Sequence, residues 1–175
     1  MLRYSRLSIF FHWFIALLIV PAFILGSVMS DMKISPAKLQ YYSWHKWMGV
    51  TILGLVALRL LTRFISGTPA YPDSMQTWEK RLASGAHVML YLLMFAVPLS
   101  GYFYTSAAGF PVVYLGLFQL PVIIAPNPEL KPLLKDLHET LTTVILVVVG
   151  LHFAAALKHL LISKDGVFKR IWPGK

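Results

Sequence analysis

The chain has 175 residues, 57% of them hydrophobic and only 13% charged, with a mean hydropathy of +0.67. That charged share is about half the roughly 25% of an ordinary soluble domain, so the composition is that of an integral membrane protein of one compact domain. The net charge of +9 comes from basic residues that flank apolar runs without forming a basic domain of their own, which argues against a nucleic-acid partner.

Residues 8–29 carry no formal charge and are long enough to cross a bilayer. The run is too long for the apolar core of a signal peptide and lacks a small-residue cleavage site, so it reads as a retained span. Pro21 is expected to kink it, with neighbouring helices satisfying the freed carbonyl. His12 lies about one turn inside its N-terminal end, beside Trp13, an interface anchor by residue type. A polar loop over 30–43 leads to a second span over 44–65, with Ser43 as N-cap and His45 near the start. Arg59 and Arg63 fall in its last turns, where long side chains snorkel to the surface. Gly49 and Gly54 follow His45 at roughly one and two turns and serve either close helix packing or a flat macrocycle.

A polar, proline-containing connection over 66–80 precedes the third span, 82–104, with His87 near its beginning. Residues 105–136 are apolar in pieces but broken by Pro111, Pro121, Pro126, Pro128 and Pro132. They read as a re-entrant or surface-lying cap over one face of the bundle. Asp136 and Glu139 resemble a capping box and start the fourth span, 137–162. Eighteen uncharged residues separate Glu139 from Lys158 in it.

With both termini on one side, eleven of the sixteen lysines and arginines fall on that side and five on the other. The positive-inside rule therefore puts the termini in the cytoplasm and the cap in the periplasm. Depth then sorts the histidines. His138 and His152 are fourteen residues apart on the fourth helix, about 1400° of rotation, so both rings face the same way roughly 21 Å apart along the axis. His45 and His138 share the outer level; His12 and His152 share the cytoplasmic level. His87 lies six residues past Arg81 and competes with His12 as the partner of His152. His159, seven residues beyond His152, sits too near the surface for a third such level and is placed to touch a propionate or a quinone headgroup.

Ionisable side chains are costly within a bilayer and mark functional sites. Intramembrane imidazoles without carboxylate partners match no common zinc or non-haem iron set. With no cysteine in the chain, thiolate sites and covalently attached haem are removed as well. Non-covalent haem with both axial positions closed by histidine fits, and favours electron transfer over oxygen binding. Each ligating ring is expected to donate its second N–H to a carbonyl or hydroxyl; Ser8, four residues before His12, is a candidate.

The segments RYSRLSIFFHW, WHKWMGVTILGLVALRLL, GAHVMLYLLMFAVPLSGY, LHETL and GLHFAAALKHLLISKD resemble the prokaryotic cytochrome b561 family over essentially the whole chain. The spacing on the fourth helix is also similar to that of cytochrome b subunits of membrane-bound hydrogenases and formate dehydrogenases. The resemblance implies an all-α, four-helix bundle in the bacterial inner membrane holding two b haems. It implies ligands from helices one, two and four, hence His12, His45, His138 and His152, leaving His87 out. Some relatives carry a second histidine one turn before the position of His87; here that residue is Ser84.

The resemblance further implies electron exchange with ubiquinone or another quinone, and in some members superoxide as the periplasmic donor, which would make the chain a superoxide:quinone oxidoreductase; a periplasmic redox protein is the alternative donor. The outer face holds five lysines against Asp31, Glu129, Asp136 and Glu139, a weak field for an anion unless Lys46, Lys131 and Lys135 form a local funnel. Lys46, Lys135, Arg59, His87 and His159 are the candidates for quinone or propionate contacts. Two other readings stand beside this one. In the first the chain is the haem-bearing anchor of a larger respiratory complex, docked through 106–132; in the second it is a helical transporter or chaperone of lipid-like molecules.

Overall fold

The computed structural model describes residues 3–174. Four long helices make up most of it: α1 (Arg6–Asp31), α2 (Pro36–Ser66), α3 (Thr77–Ala107) and α4 (Leu130–Lys158). All four are long and apolar enough to cross a membrane. α1 packs chiefly on α2 and α3 on α4, and α2 against α3 joins the two halves. Short links between α1 and α2 and between α2 and α3 make these neighbours antiparallel.

Local chemistry explains where the helices begin and end. Ser5 caps α1, its Oγ accepting the Ser8 N–H at 3.2 Å. Ser35 does the same for α2 through the Lys38 N–H, with Pro36 in the first turn, where its missing N–H costs nothing. α2 stops at Gly67, whose φ of 68° suits glycine. The Glu79 carboxylate accepts the Gln76 N–H at the start of α3. The Asn127 side-chain oxygen takes the N–H groups of Glu129 and Leu130, both at 3.0 Å, ahead of α4.

These starts correct several sequence expectations. The second helix begins at Pro36, not Trp44, and Ser43 lies inside it, its hydroxyl turned back to the Leu39 carbonyl. The fourth begins at Leu130, so Asp136 and Glu139 are interior and form no capping box. The third begins at Thr77 instead of Leu82. Pro21 and Pro98 sit within continuous helices. The starts of α2, α3 and α4 therefore project about one to two turns beyond their apolar stretches, and His45 and His138 lie more than two turns in from their helix starts.

Between α3 and α4, residues 108–129 cover one end of the bundle. They contain a hairpin of two-residue strands, β1 (Val113–Tyr114) and β2 (Phe118–Gln119), paired antiparallel with Val113 opposite Gln119. The three-residue turn, 115–117, places Leu115 and Gly116 at φ 52° and 74°, both in the left-handed region. Trp47 of α2 donates to the Val113 carbonyl at 2.6 Å, and Thr51 shares a 2.8 Å hydrogen bond with the Tyr114 hydroxyl. The cap is thus tied to α2 by side chains.

At the opposite end α4 continues as a π-helical turn, His159–Ser163, followed by a 3-10 turn, Phe168–Arg170. The tail folds back over the start of α1. Trp13 donates to the Ile171 carbonyl at 2.7 Å and stacks edge-on with Trp172, while Arg3 reaches the Trp172 carbonyl at 2.6 Å. Both ends of the described chain therefore meet at one end of the bundle. That end is the termini end of the bundle, and the other, under residues 108–129, is the cap end.

Ile15 and Val56 are fully buried at the centre, with Phe11, Ile52, Leu93, Met94 and Ile145 around them. Ile145 stands seven residues from both His138 and His152, so the apolar core separates the two histidine levels. The outward faces carry Leu17, Leu92 and Leu151, each more than 60% exposed. A continuous apolar surface of this kind belongs against lipid.

Candidate cofactor sites

At the cap end, His45 of α2 and His138 of α4 face each other with ring centroids 6.1 Å apart and planes at 85°. The His45 Nδ1–H donates to the Ala22 carbonyl of α1 at 2.9 Å. The His138 Nδ1–H donates to the Val97 carbonyl of α3 at 3.0 Å, and the Ser100 hydroxyl, 3.1 Å from the same nitrogen, donates to that carbonyl too. A carbonyl only accepts, so each Nδ1 holds the proton and each Nε2 keeps its lone pair. Both rings are thereby fixed in the tautomer that ligates through Nε2.

At the termini end three imidazoles converge. His12 of α1 and His152 of α4 have centroids 6.3 Å apart, and His87 of α3 lies 5.5 Å from His152. Here the second nitrogens are unsupported. The Nδ1 atoms of His12 and His87 are buried without a hydrogen-bond partner. Ser8 does not serve His12 as expected; its hydroxyl instead accepts from Ser5 Oγ at 2.9 Å.

The geometry can be tested against one iron between each pair. Two metal–imidazole bonds of roughly 2 Å each, plus the half-widths of two rings, put the centroids about 6 Å apart. The separations of 6.1 and 6.3 Å fit, while the 5.5 Å between His87 and His152 is short. The donor set, neutral nitrogen only, suits haem iron.

The other candidate contacts divide by end. Arg59 and Arg63 lie over the Tyr91 ring at 5.6 and 5.8 Å and line a small recess with Tyr4 and Ser8, one turn from His12. His159 starts the π-helical turn and donates Nδ1–H to Asp165 at 2.6 Å, both side chains being nearly buried. Burial pushes the Asp165 carboxyl up, but hydrogen bonds from the Val167 N–H and from His159 outweigh it and hold the group below the ordinary aspartate range. Lys158 pairs with Glu79 of α3 beside them. At the cap end Lys46 reaches the Phe110 carbonyl at 3.3 Å, and Lys135 pairs with Glu139 at 3.1 Å on an exposed helix face.

Two residues that sequence reasoning passed over crowd the outer pair. A Cβ on Gly26 would lie 3.1 Å from the His45 ring, and one on Gly101 would lie 2.9 Å from the His138 ring. Gly49 and Gly54, the two glycines singled out by spacing, touch no histidine: Gly49 faces Pro98 and Gly54 meets open space. Spacing along one helix does not reveal which glycine of a neighbouring helix a ring will meet.

Comparison with known proteins bears on what these sites hold. The family model for prokaryotic cytochrome b561 matches residues 3–174. Cytochrome b561 homolog 2 of Escherichia coli (strain K12) is 32% identical, over 97% of this chain and 90% of that protein. Cytochrome b561 homolog 1 of the same organism is 29% identical, over 98% and 97%. A protein described as probable superoxide oxidase CybB of Yersinia pestis is 30% identical, over 99% and 97%. With the four-helix fold and paired intramembrane histidines already in place, the chain belongs to the prokaryotic cytochrome b561 family, bacterial membrane proteins of transmembrane electron transfer that carry b-type haem in a four-helix bundle.

Proposed function

We propose that the chain moves electrons across the bacterial inner membrane from a periplasmic donor at the cap end to quinone at the termini end, through two b haems. His45 with His138 and His12 with His152 would hold them. The observation that carries this reading is the pair of imidazole separations, 6.1 and 6.3 Å, each fitting one iron, at two levels of the same bundle. When bound, the haems supply one-electron chemistry at both levels.

The protein's own part is orientation and exclusion. The Ala22 and Val97 carbonyls set the outer rings, and the apolar core around Ile145 keeps water out between the levels. The Arg59 guanidinium, in the recess one turn from His12, would take a propionate, and His159, its Nδ1 engaged by Asp165, would meet a quinone headgroup through its other nitrogen. The excess of basic residues at the termini end supports a cytoplasmic location for it. Superoxide as donor rests on the relative described as a probable superoxide oxidase.

A pyridine haemochrome assay on the purified protein is expected to give two haems per chain. Rapid mixing of the oxidised protein with superoxide is expected to reduce them, and added quinone to reoxidise them. Absence of reduction by superoxide would favour the reading as anchor of a larger respiratory complex. The exposed apolar hairpin tip, with Leu117 79% exposed, suits such a docking partner.

A further inference from the structure

We infer that Gly26 and Gly101 are positioning residues that seat His45 and His138 on backbone carbonyls, and that these seats make the outer site the lower in potential of the two. The inference rests on the ligand reading proposed above. The two seats share one construction. His45 leans on α1, where Ala22 offers the carbonyl and Gly26, four residues on, leaves the space. His138 leans on α3, where Val97 offers the carbonyl and Gly101, again four residues on, leaves the space. In a helix, residues i and i+4 lie one above the other, so the Cε1 corner of the ring sits against the glycine while its Nδ1–H reaches the carbonyl one turn back. Any side chain at the second position would lift the ring off the first.

A hydrogen bond from Nδ1–H to a carbonyl makes the opposite nitrogen a stronger electron donor, which favours ferric over ferrous iron. Both outer ligands have that bond. Among the described residues, His12 Nδ1 is buried without a partner and no side-chain hydrogen bond engages His152. The positive charge of Arg59, in the recess one turn from His12, works in the same direction by favouring the reduced form at the inner site. With haem bound, this order would favour passage of one electron from the His45–His138 level, oxidised in the step, to the His12–His152 level, reduced in it. No proton has to move for it.

The test is spectroelectrochemical titration of the haem-loaded protein. In the wild type two components should titrate, and in His152→Ala, which keeps the outer site, the remaining component should match the lower of them. Gly26→Ala and Gly101→Ala should raise the outer component only. At a fixed ambient potential its reduced-to-oxidised ratio should rise about fivefold, the equivalent of one ordinary hydrogen bond. The change should be larger for Gly101→Ala, where the clash is closer. Alanine is the better helix former, so a weakened helix does not account for the shift.

Loss of haem from the outer site alone in a glycine variant also supports the seat, and the order is then read from the wild type and His152→Ala. Glycine variants that keep two haems with both components unmoved would overturn the positioning role. A remaining component in His152→Ala at the higher wild-type potential would overturn the order. If His138→Ala and His152→Ala each retain two haems, the ligand assignment itself is wrong, and the inference falls with it.

Discussion

At the scale of single residues, the histidines divide by what their second nitrogen touches. His45 and His138 are held by carbonyls of helices other than their own; His12 and His87 are buried with Nδ1 unpartnered. His138→Ala is expected to lose one of two haems and His152→Ala the other, each leaving about half the wild-type haemochrome absorbance, because a single remaining imidazole leaves one axial position open. His87→Ala is expected to keep both, since its 5.5 Å approach to His152 is shorter than a shared iron requires. A one-haem His87→Ala protein would reassign the inner ligand. The pairing of His45 with His138, and of His12 or His87 with His152, was legible in the sequence because charge marks the ends of the apolar runs and the helix repeat carries the count inward. The seats on Ala22, Gly26, Val97 and Gly101 were not, because they depend on how neighbouring helices rotate against each other.

Among the elements, the ends of the helices depart most from expectation. Apolar runs locate the part of a helix that lipid covers, and the helices here extend past it into water. The Ser35–Pro36 pair is a helix-start signal that the sequence reading missed, because 30–43 is polar and reads as a loop. The hairpin in the cap was hidden for a different reason: its turn places Leu115, not Asn or Asp, at a positive φ. Leu115→Asn is expected to relieve about 1 kcal/mol of backbone strain and to slow amide exchange over 113–119.

The tail at the termini end offers a second test. Trp172→Ala removes the edge-on contact with Trp13, at a cost of about 1 kcal/mol, and should speed proteolysis after residue 163. The Asp165 carboxyl is held below its unfolded range, so its contribution is complete above the ordinary aspartate value of 3.8 and is lost as pH falls through the lower folded value. Protease resistance of the tail should therefore be level from pH 7 to about pH 5 and fall only in stronger acid. In Asp165→Asn that acid step should vanish.

For the whole molecule, the positive-inside argument and the meeting of both ends at one side make a joint statement about topology. The chain contains no cysteine, so single introduced thiols report cleanly. In intact cells with a permeabilised outer membrane, an impermeant maleimide is expected to label Lys33→Cys, in the link beside the cap. Asp73→Cys, between α2 and α3, should react only once the inner membrane is opened. The reverse pattern would invert the direction of electron flow proposed here.

α4 gives one imidazole to each level, and it does so without interruption from His138 to His152. It is therefore the ruler of the molecule, and its graduations are coarse. One alanine inserted after Val147 would swing the ring at His152 by about 100° out of phase with its partner, and four would bring it back to within about 40° but roughly 6 Å farther along. Intermediate spacings are closed to such a helix, so the span between the two histidine levels can change by whole turns, or else one of the pairings is lost.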